Sequence, residues 1–129
     1  MTTAVLNASA VMALILDEPG RDQVRAVLED AAITTVNLAE VVGQFARRGA
    51  AEVDIRFMID SMRLARIVFD EELAYAAAML LPLTKAAGLS LGDRACLALA
   101  RRMEVKALTA DRVWQEVGKS LGIAVEIIR

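Results

Sequence analysis

The chain reads as an α/β protein, a three-layer α/β/α sandwich with a mainly parallel central sheet. Three observations predict this. Short apolar or β-branched runs alternate with helical patterns along almost the whole length, and that order calls for parallel strands joined by helical crossovers. The 129 residues suit one domain, 1–129, large enough to bury its own core. A content of 57% hydrophobic and 25% charged residues describes a folded chain, because disordered segments are poorer in aliphatic side chains.

Thr3 to Leu6 reads as the first strand, and a helix follows from about Ala8 to Leu16, where Asp17-Glu18-Pro19-Gly20 supplies a turn. Arg21 to Asp30 is expected to be helical, with Val24, Val27 and Leu28 on one face. Ala32 to Val36 is a β-branched run suited to a second strand. Asn37 then reads as a helix N-cap with Glu40 three residues on, and Gly49 closes that helix after Arg48.

Val53 to Met62 repeats apolar residues at helical spacing, and Ala65 to Phe69 reads as a short strand. Asp70-Glu71-Glu72 opens another helix, which Pro82 must break or kink before Gly88 and Ser90 mark a fresh start. Leu91 to Met103 is an apolar-faced helix and Val105 to Ala110 a strand. Arg112 to Leu121 is a helix, and Ala124 to Ile128 a last buried strand. No internal repeat or low-complexity segment interrupts the pattern.

Several function classes fall away on composition. Histidine is absent, which removes imidazole general bases, Ser/His triads and His-containing zinc sites together. The single cysteine, Cys96, sits among apolar residues, so a buried thiol is expected and no disulfide can form within one chain. The apolar run Val11 to Leu16 lacks a preceding Lys or Arg and is too short to span a bilayer, so a reducing cytoplasm is the expected setting. With a net charge of -2, the molecule exerts no long-range pull on a polyanion, and any contact with nucleic acid must be local. Arg47, Arg48, Arg63, Arg66, Arg94, Arg101, Arg102, Lys106 and Arg112 are the candidates for such a surface.

Ligands of open α/β sheets bind beyond the carboxyl ends of the strands. Asn7 follows the first strand, Glu40 lies in the helix after the second, and Asp111 follows Leu108-Thr109-Ala110; Asp93 stands near the start of a helix. Each has a purely structural reading. Asn7 and Asp111 suit N-caps, and Glu40 and Asp93 suit the far halves of capping boxes opened by Asn37 and Ser90. Capping and ligation are compatible, because helix N-termini tolerate clustered negative charge. Converging carboxylates without an intervening base repel one another unless a cation neutralises them, and Mg²⁺ or Mn²⁺ suits oxygen ligands.

Four segments together resemble the PIN domain, and within it the VapC ribonuclease toxins of type II toxin–antitoxin modules. They are Val5-Leu6-Asn7-Ala8-Ser9-Ala10, Val36-Asn37-Leu38-Ala39-Glu40-Val41-Val42, Leu89 to Ala100 around Gly92-Asp93-Arg94, and Ala107-Leu108-Thr109-Ala110-Asp111. Any one is weak, whereas all four in this order are specific. The resemblance implies an Mg²⁺- or Mn²⁺-dependent endoribonuclease, a homodimer, a VapB-type antitoxin covering the active-site groove, and tRNA or rRNA as substrate. It implies Glu40, Asp93 and Asp111 as metal-binding and catalytic acids, with Ser9 and Thr109 as polar support.

Asn7 occupies the place of the family's first aspartate. An amide keeps an oxygen ligand but loses a full negative charge, so catalysis is expected to be severely reduced. A near-isosteric exchange in an otherwise intact motif is what an engineered replacement leaves, and a natural change that spared a non-catalytic module binding an antitoxin or RNA is the alternative. A phosphate-accepting receiver-like domain is disfavoured, because Asn7 removes the acceptor aspartate.

Overall fold

The computed structural model describes residues 1–129 as β1 (Ala4–Leu6), α1 (Ala8–Ile15), α2 (Arg21–Val27), β2 (Ala31–Thr34), α3 (Thr35–Arg47), α4 (Glu52–Met62), β3 (Ala65–Ile67), α5 (Glu71–Met79), α6 (Leu81–Thr84), α7 (Leu91–Met103), β4 (Lys106–Thr109), α8 (Trp114–Leu121) and β5 (Val125–Ile127). All five strands are parallel, in the order β3-β2-β1-β4-β5, with Leu6 opposite Leu108. The chain builds outward from β1 to β2 and β3, then crosses to the other side for β4 and β5. The order therefore reverses beside β1, and a crevice opens there at the carboxyl ends of β1 and β4.

Alternation along the strands divides the core between two faces. Ala4, Leu6, Ile33 and Leu108 pack with Val11, Val24, Val41 and Ile55 under α1 to α4. Val5 and Ala107 point the other way and pack with Leu73, Leu97, Leu99 and Trp114 under α5, α7 and α8. Small residues, Ala95, Ala98 and Ala100, let α7 lie close to the sheet, where they are almost fully buried. No helix is long and apolar enough to cross a membrane.

Several boundaries differ from expectation for physical reasons. The helix expected to run from Arg21 to Asp30 tightens into a 3-10 turn at Leu28–Asp30 before β2. The strand expected over Ala32 to Val36 ends at Thr34, because the Thr34 hydroxyl accepts the Asn37 backbone N–H and caps α3 two residues before Val36 has ended its β-branched run. Asn37 is thus inside the first turn of α3, buried, rather than its N-cap. The strand expected over Ala65 to Phe69 stops at Ile67. Asp70 caps α5 as an acid at that position should, accepting from the Leu73 N–H at 2.9 Å. The break before Pro82 falls at Leu80, and Pro82 sits in the first turn of α6, where its missing N–H costs nothing. Ser90 opens α7 with Asp93 in a reciprocal capping box, as the spacing predicts.

Candidate functional site

Asn7 leaves the sheet at the crevice with its backbone tied on both sides. Its N–H donates to Leu108 O at 2.9 Å, and its carbonyl accepts from Ala10 N–H at 3.0 Å, so β4 and α1 fix the residue between them. The backbone holds the N-cap position of α1, but the side chain makes no cap bond. Its amide nitrogen donates to Ser9 Oγ at 3.2 Å and to Thr109 Oγ1 at 3.0 Å. The side chain therefore serves the crevice and not the helix. Ser9 and Thr109 are themselves anchored: their hydroxyls lie 3.3 Å apart and accept the backbone N–H groups of Ala110 and Asp111.

A second anchor is Asn37, which sequence reasoning placed at a helix end and did not propose as part of the site. Thr34 Oγ1 donates to its Oδ1 at 2.7 Å, fixing the amide orientation. Its Nδ2 then reaches Glu40 Oε1 at 2.9 Å, Gly92 O at 3.0 Å and, more weakly, Asn7 Oδ1 at 3.4 Å. One fully buried amide thus joins β1, α3 and α7 at the site. An asparagine three residues before an acid on a helix was the only signal of it in sequence, and the capping-box reading absorbed that signal.

Gly92 makes this meeting possible. A methyl group at that position would collide with the Glu40 carboxylate, so α3 and α7 approach closely here because residue 92 has no side chain. Burial pushes the Glu40 carboxyl above its ordinary value and nearby Asp93 pushes the same way, while the Asn37 bond opposes them. Asp93 meanwhile accepts from the Ser90 N–H at 3.0 Å. Glu40 and Asp93 are a like-charged pair on facing helices.

The structure thus brings Asn7, Ser9, Thr109, Asn37 and Glu40 into one hydrogen-bonded chain, with Asp93 beside Glu40. Asp111 is linked to it only through the main chain: its N–H meets Thr109 Oγ1, while its carboxylate turns back to accept from Val113 N–H at 3.0 Å. That Asx turn replaces the N-cap expected of Asp111. No three acidic side chains gather closely enough to hold an ion among themselves. The donors nevertheless suit a divalent cation in kind. All are oxygens, as hard cations prefer, and a cation beside Glu40 and Asp93 would offset both the burial that chiefly raises the Glu40 carboxyl and the smaller push from Asp93.

Beneath the pair lies Cys96, fully buried, whose thiol is pushed far above its ordinary range by burial first and by Asp93 and Glu40 second. A raised folded-state value means that the native protein keeps a proton which the unfolded chain releases above about pH 9. Stability should therefore fall with rising pH from there, by about 1.4 kcal/mol per unit from this group. Urea titrations between pH 8.5 and 10.5 on this chain and on Cys96→Ala check it. The difference between their stability slopes should appear only above about pH 9.

The sequence pattern of the PIN domain matches residues 4–120. No curated protein matches the sequence. Solved structures share the fold at low identity. A DNA-bound VapBC from Salmonella typhimurium is similar with a TM-score of 0.73 and 15% identity, covering 98% of either chain. VapBC2 from Rickettsia felis, bound to a promoter DNA fragment, has a TM-score of 0.70 at 15% identity over 97% of this chain and 98% of its own. VapBC-5 from Mycobacterium tuberculosis, described as a member of a toxin-antitoxin family, has a TM-score of 0.57 at 23% identity over 100% and 99%. The family pattern runs from β1 into the last turn of α8, through every element that contributes to the crevice, and this chain belongs to the PIN domain family.

Proposed function

We propose that residues 1–129 form one PIN unit that hydrolyses RNA phosphodiester bonds as the toxin of a type II toxin–antitoxin module, and that Asn7 impairs it. The observation that carries this reading is the direction of the Asn7 side chain. It forgoes the cap bond open to it and joins Ser9, Thr109 and Asn37 in the crevice, where Glu40 also stands. Similarity of fold to VapBC structures supports the toxin–antitoxin setting.

In this reading Glu40 and Asp93, with Asn7 Oδ1, would hold Mg²⁺ or Mn²⁺, and Asp111 would join them on turning its carboxylate away from the Val113 N–H. When bound, that ion lowers the pKa of water and stabilises charge on phosphate, which lets a histidine-free site hydrolyse RNA. The chain's own residues do the positioning. Asn37 fixes Glu40 Oε1 through Nδ2, Ser9 and Thr109 fix residue 7, and Gly92 keeps space for the Glu40 carboxylate. The test is cleavage of tRNA and ribosomal RNA by this chain and by Asn7→Asp, with Mg²⁺, Mn²⁺ or chelator. Discrete metal-dependent cuts by the variant support a nuclease; none from either supports the alternative, a module that binds antitoxin or RNA without cutting.

The partner reading rests on two surfaces. An apolar groove of about 350 Å³ runs between α3 and α4, floored by Leu38, Val42, Ile55 and Ile59 and rimmed by Arg56 and Asp60. It shares no lining residue with Asn7, Glu40, Asp93 and Asp111, and it suits the apolar face of a VapB-type antitoxin helix. On the opposite layer Tyr75 and Met79 of α5 and Leu83 of α6 are about two thirds exposed, a patch that suits a homodimer. Light scattering should give a dimer for this chain and a monomer for Tyr75→Glu/Met79→Glu. A dimer that survives the double change would place the interface elsewhere. The buried thiol suits a reducing cytoplasm.

A further inference from the structure

Beside Glu40 the crevice opens into a hollow of about 350 Å³ that the hydrolytic site itself does not explain. Ser9 and Met12 of α1 form one wall, Glu40 and Gln44 of α3 with its C-cap Arg48 another, and Glu18 and Arg129 close the end. Its size lies in the ~300–1,000 Å³ range of ligand sites. The α3 wall has a regular origin. Glu40, Gln44 and Arg48 are spaced four apart, so they stack along one face of the helix and its C-terminal end, about 6 Å per step.

Charge in the hollow is unevenly compensated. Arg129 lies 3.6 Å from Glu18 and donates to Pro19 O at 3.3 Å, so its charge is partly answered within the protein. Arg48 takes part in no ion pair. Its guanidinium rests over the Phe45 ring, 5.7 Å from the centroid, which steadies the plane while leaving the N–H rim exposed. A planar cation without an ion-pair partner, two helical turns from an acidic site, suits a phosphate. The need for it is physical. A net charge of -2 and the Glu40–Asp93 pair both repel RNA, so a local cation must offset that repulsion. Among the other arginines, Arg66 pairs with Asp60, Arg102 with Asp70, and Arg94 donates to Ala77 O, while Arg63 and Arg101, also without an ion pair, do not line the hollow.

We propose that this hollow seats the sugar–phosphate backbone of the RNA strand, with Arg48 holding a phosphate neighbouring the bond above Glu40. Gln44 supplies an uncharged donor between them, and Arg129 closes the end. Arg48 is then a positioning residue that recognises the backbone and not the base. This rests on the ribonuclease reading.

The experiment is fluorescence anisotropy with a labelled, mixed-sequence 12-nucleotide single-stranded RNA, in chelator so that nothing is cut, over a salt series. Arg48→Gln should weaken binding about tenfold at low salt and reduce the slope of log affinity against log salt by about 0.7, the loss of one phosphate contact. Arg48→Lys should restore most of the slope, which a merely structural role would not do. Arg25→Gln, a change on the exposed face of α2 where Arg25 pairs with Asp22, should match the parent. Parent binding left unaltered by Arg48→Gln would overturn the assignment of Arg48 while leaving the nuclease reading intact. Failure of the parent to bind any RNA would overturn both.

Discussion

Replacing Asn7 by aspartate is expected to raise metal-dependent RNA cleavage by at least a hundredfold, with little change in the fold. The expectation follows from charge. A unit charge pair at 4 Å is worth about 4 kcal/mol at an effective dielectric of 20, and a divalent ion roughly doubles that. Exchange with solvent and with the other acids leaves about 3 kcal/mol, which corresponds to two orders of magnitude in ion affinity or in rate.

The pocket is already able to accept the change. Ser9 Oγ and Thr109 Oγ1 each receive a backbone N–H, from Ala110 and Asp111, which leaves their own protons free to turn towards residue 7. Towards the asparagine nitrogen the two hydroxyls accept; towards a carboxylate they would donate, joined by Asn37 Nδ2. Without metal the variant should be less stable than the parent, because a third acid joins Glu40 and Asp93. Added Mn²⁺ or Mg²⁺ should then raise its Tm more than it raises the parent's. Equal response of the two to metal, with no cleavage, would remove residue 7 from the ion's surroundings.

The second large effect is expected from a methyl group. Gly92→Ala, made together with Asn7→Asp, should reduce cleavage about a hundredfold relative to Asn7→Asp alone while changing stability by less than about 1 kcal/mol. The new Cβ falls on the Glu40 carboxylate, the far end of a flexible side chain, which can swing away. Swinging breaks the 2.9 Å bond to Asn37 and takes the acid from its place. The steric cost is partly offset by alanine's better helix propensity, about 1 kcal/mol.

Gly118→Ala is the contrasting case. Its Cβ would lie 2.6 Å from Val125 Cγ2 and 2.8 Å from the Ile123 carbonyl, and backbone cannot swing aside. That variant should lose about 2 kcal/mol of stability by overpacking and, at temperatures where it remains folded, keep the cleavage rate. Urea unfolding and single-turnover cleavage on both variants separate the two outcomes. Equal loss of activity in each would mean that Gly92 acts through general stability and not through Glu40.

What the sequence determined by itself is whatever depends on neighbours along the chain. The capping box of Ser90 and Asp93, the Asp70 cap and the span Leu91–Met103 rest on local hydrogen bonds and periodicity, and they were readable. The parallel sheet was readable too, because alternating short apolar runs and helices leave few other ways to bury both. Identity of the candidate acids followed from their placement after strands and from the resemblance. Tertiary structure decided what depends on distance across the chain. Val36 prolonged a β-branched run, yet the strand ended at Thr34, because its hydroxyl capped α3 and brought Asn37 into the core. Only then did Asn37 become the link between Asn7, Glu40 and Gly92, residues up to 85 positions apart from one another in sequence. Arg48 was one of many scattered arginines until the fold set it on the wall of the hollow beside Glu40 without an acid to answer it. Local signals follow backbone hydrogen bonding within a turn or two, whereas a site is made where strands end and helices cross, and packing alone sets those distances.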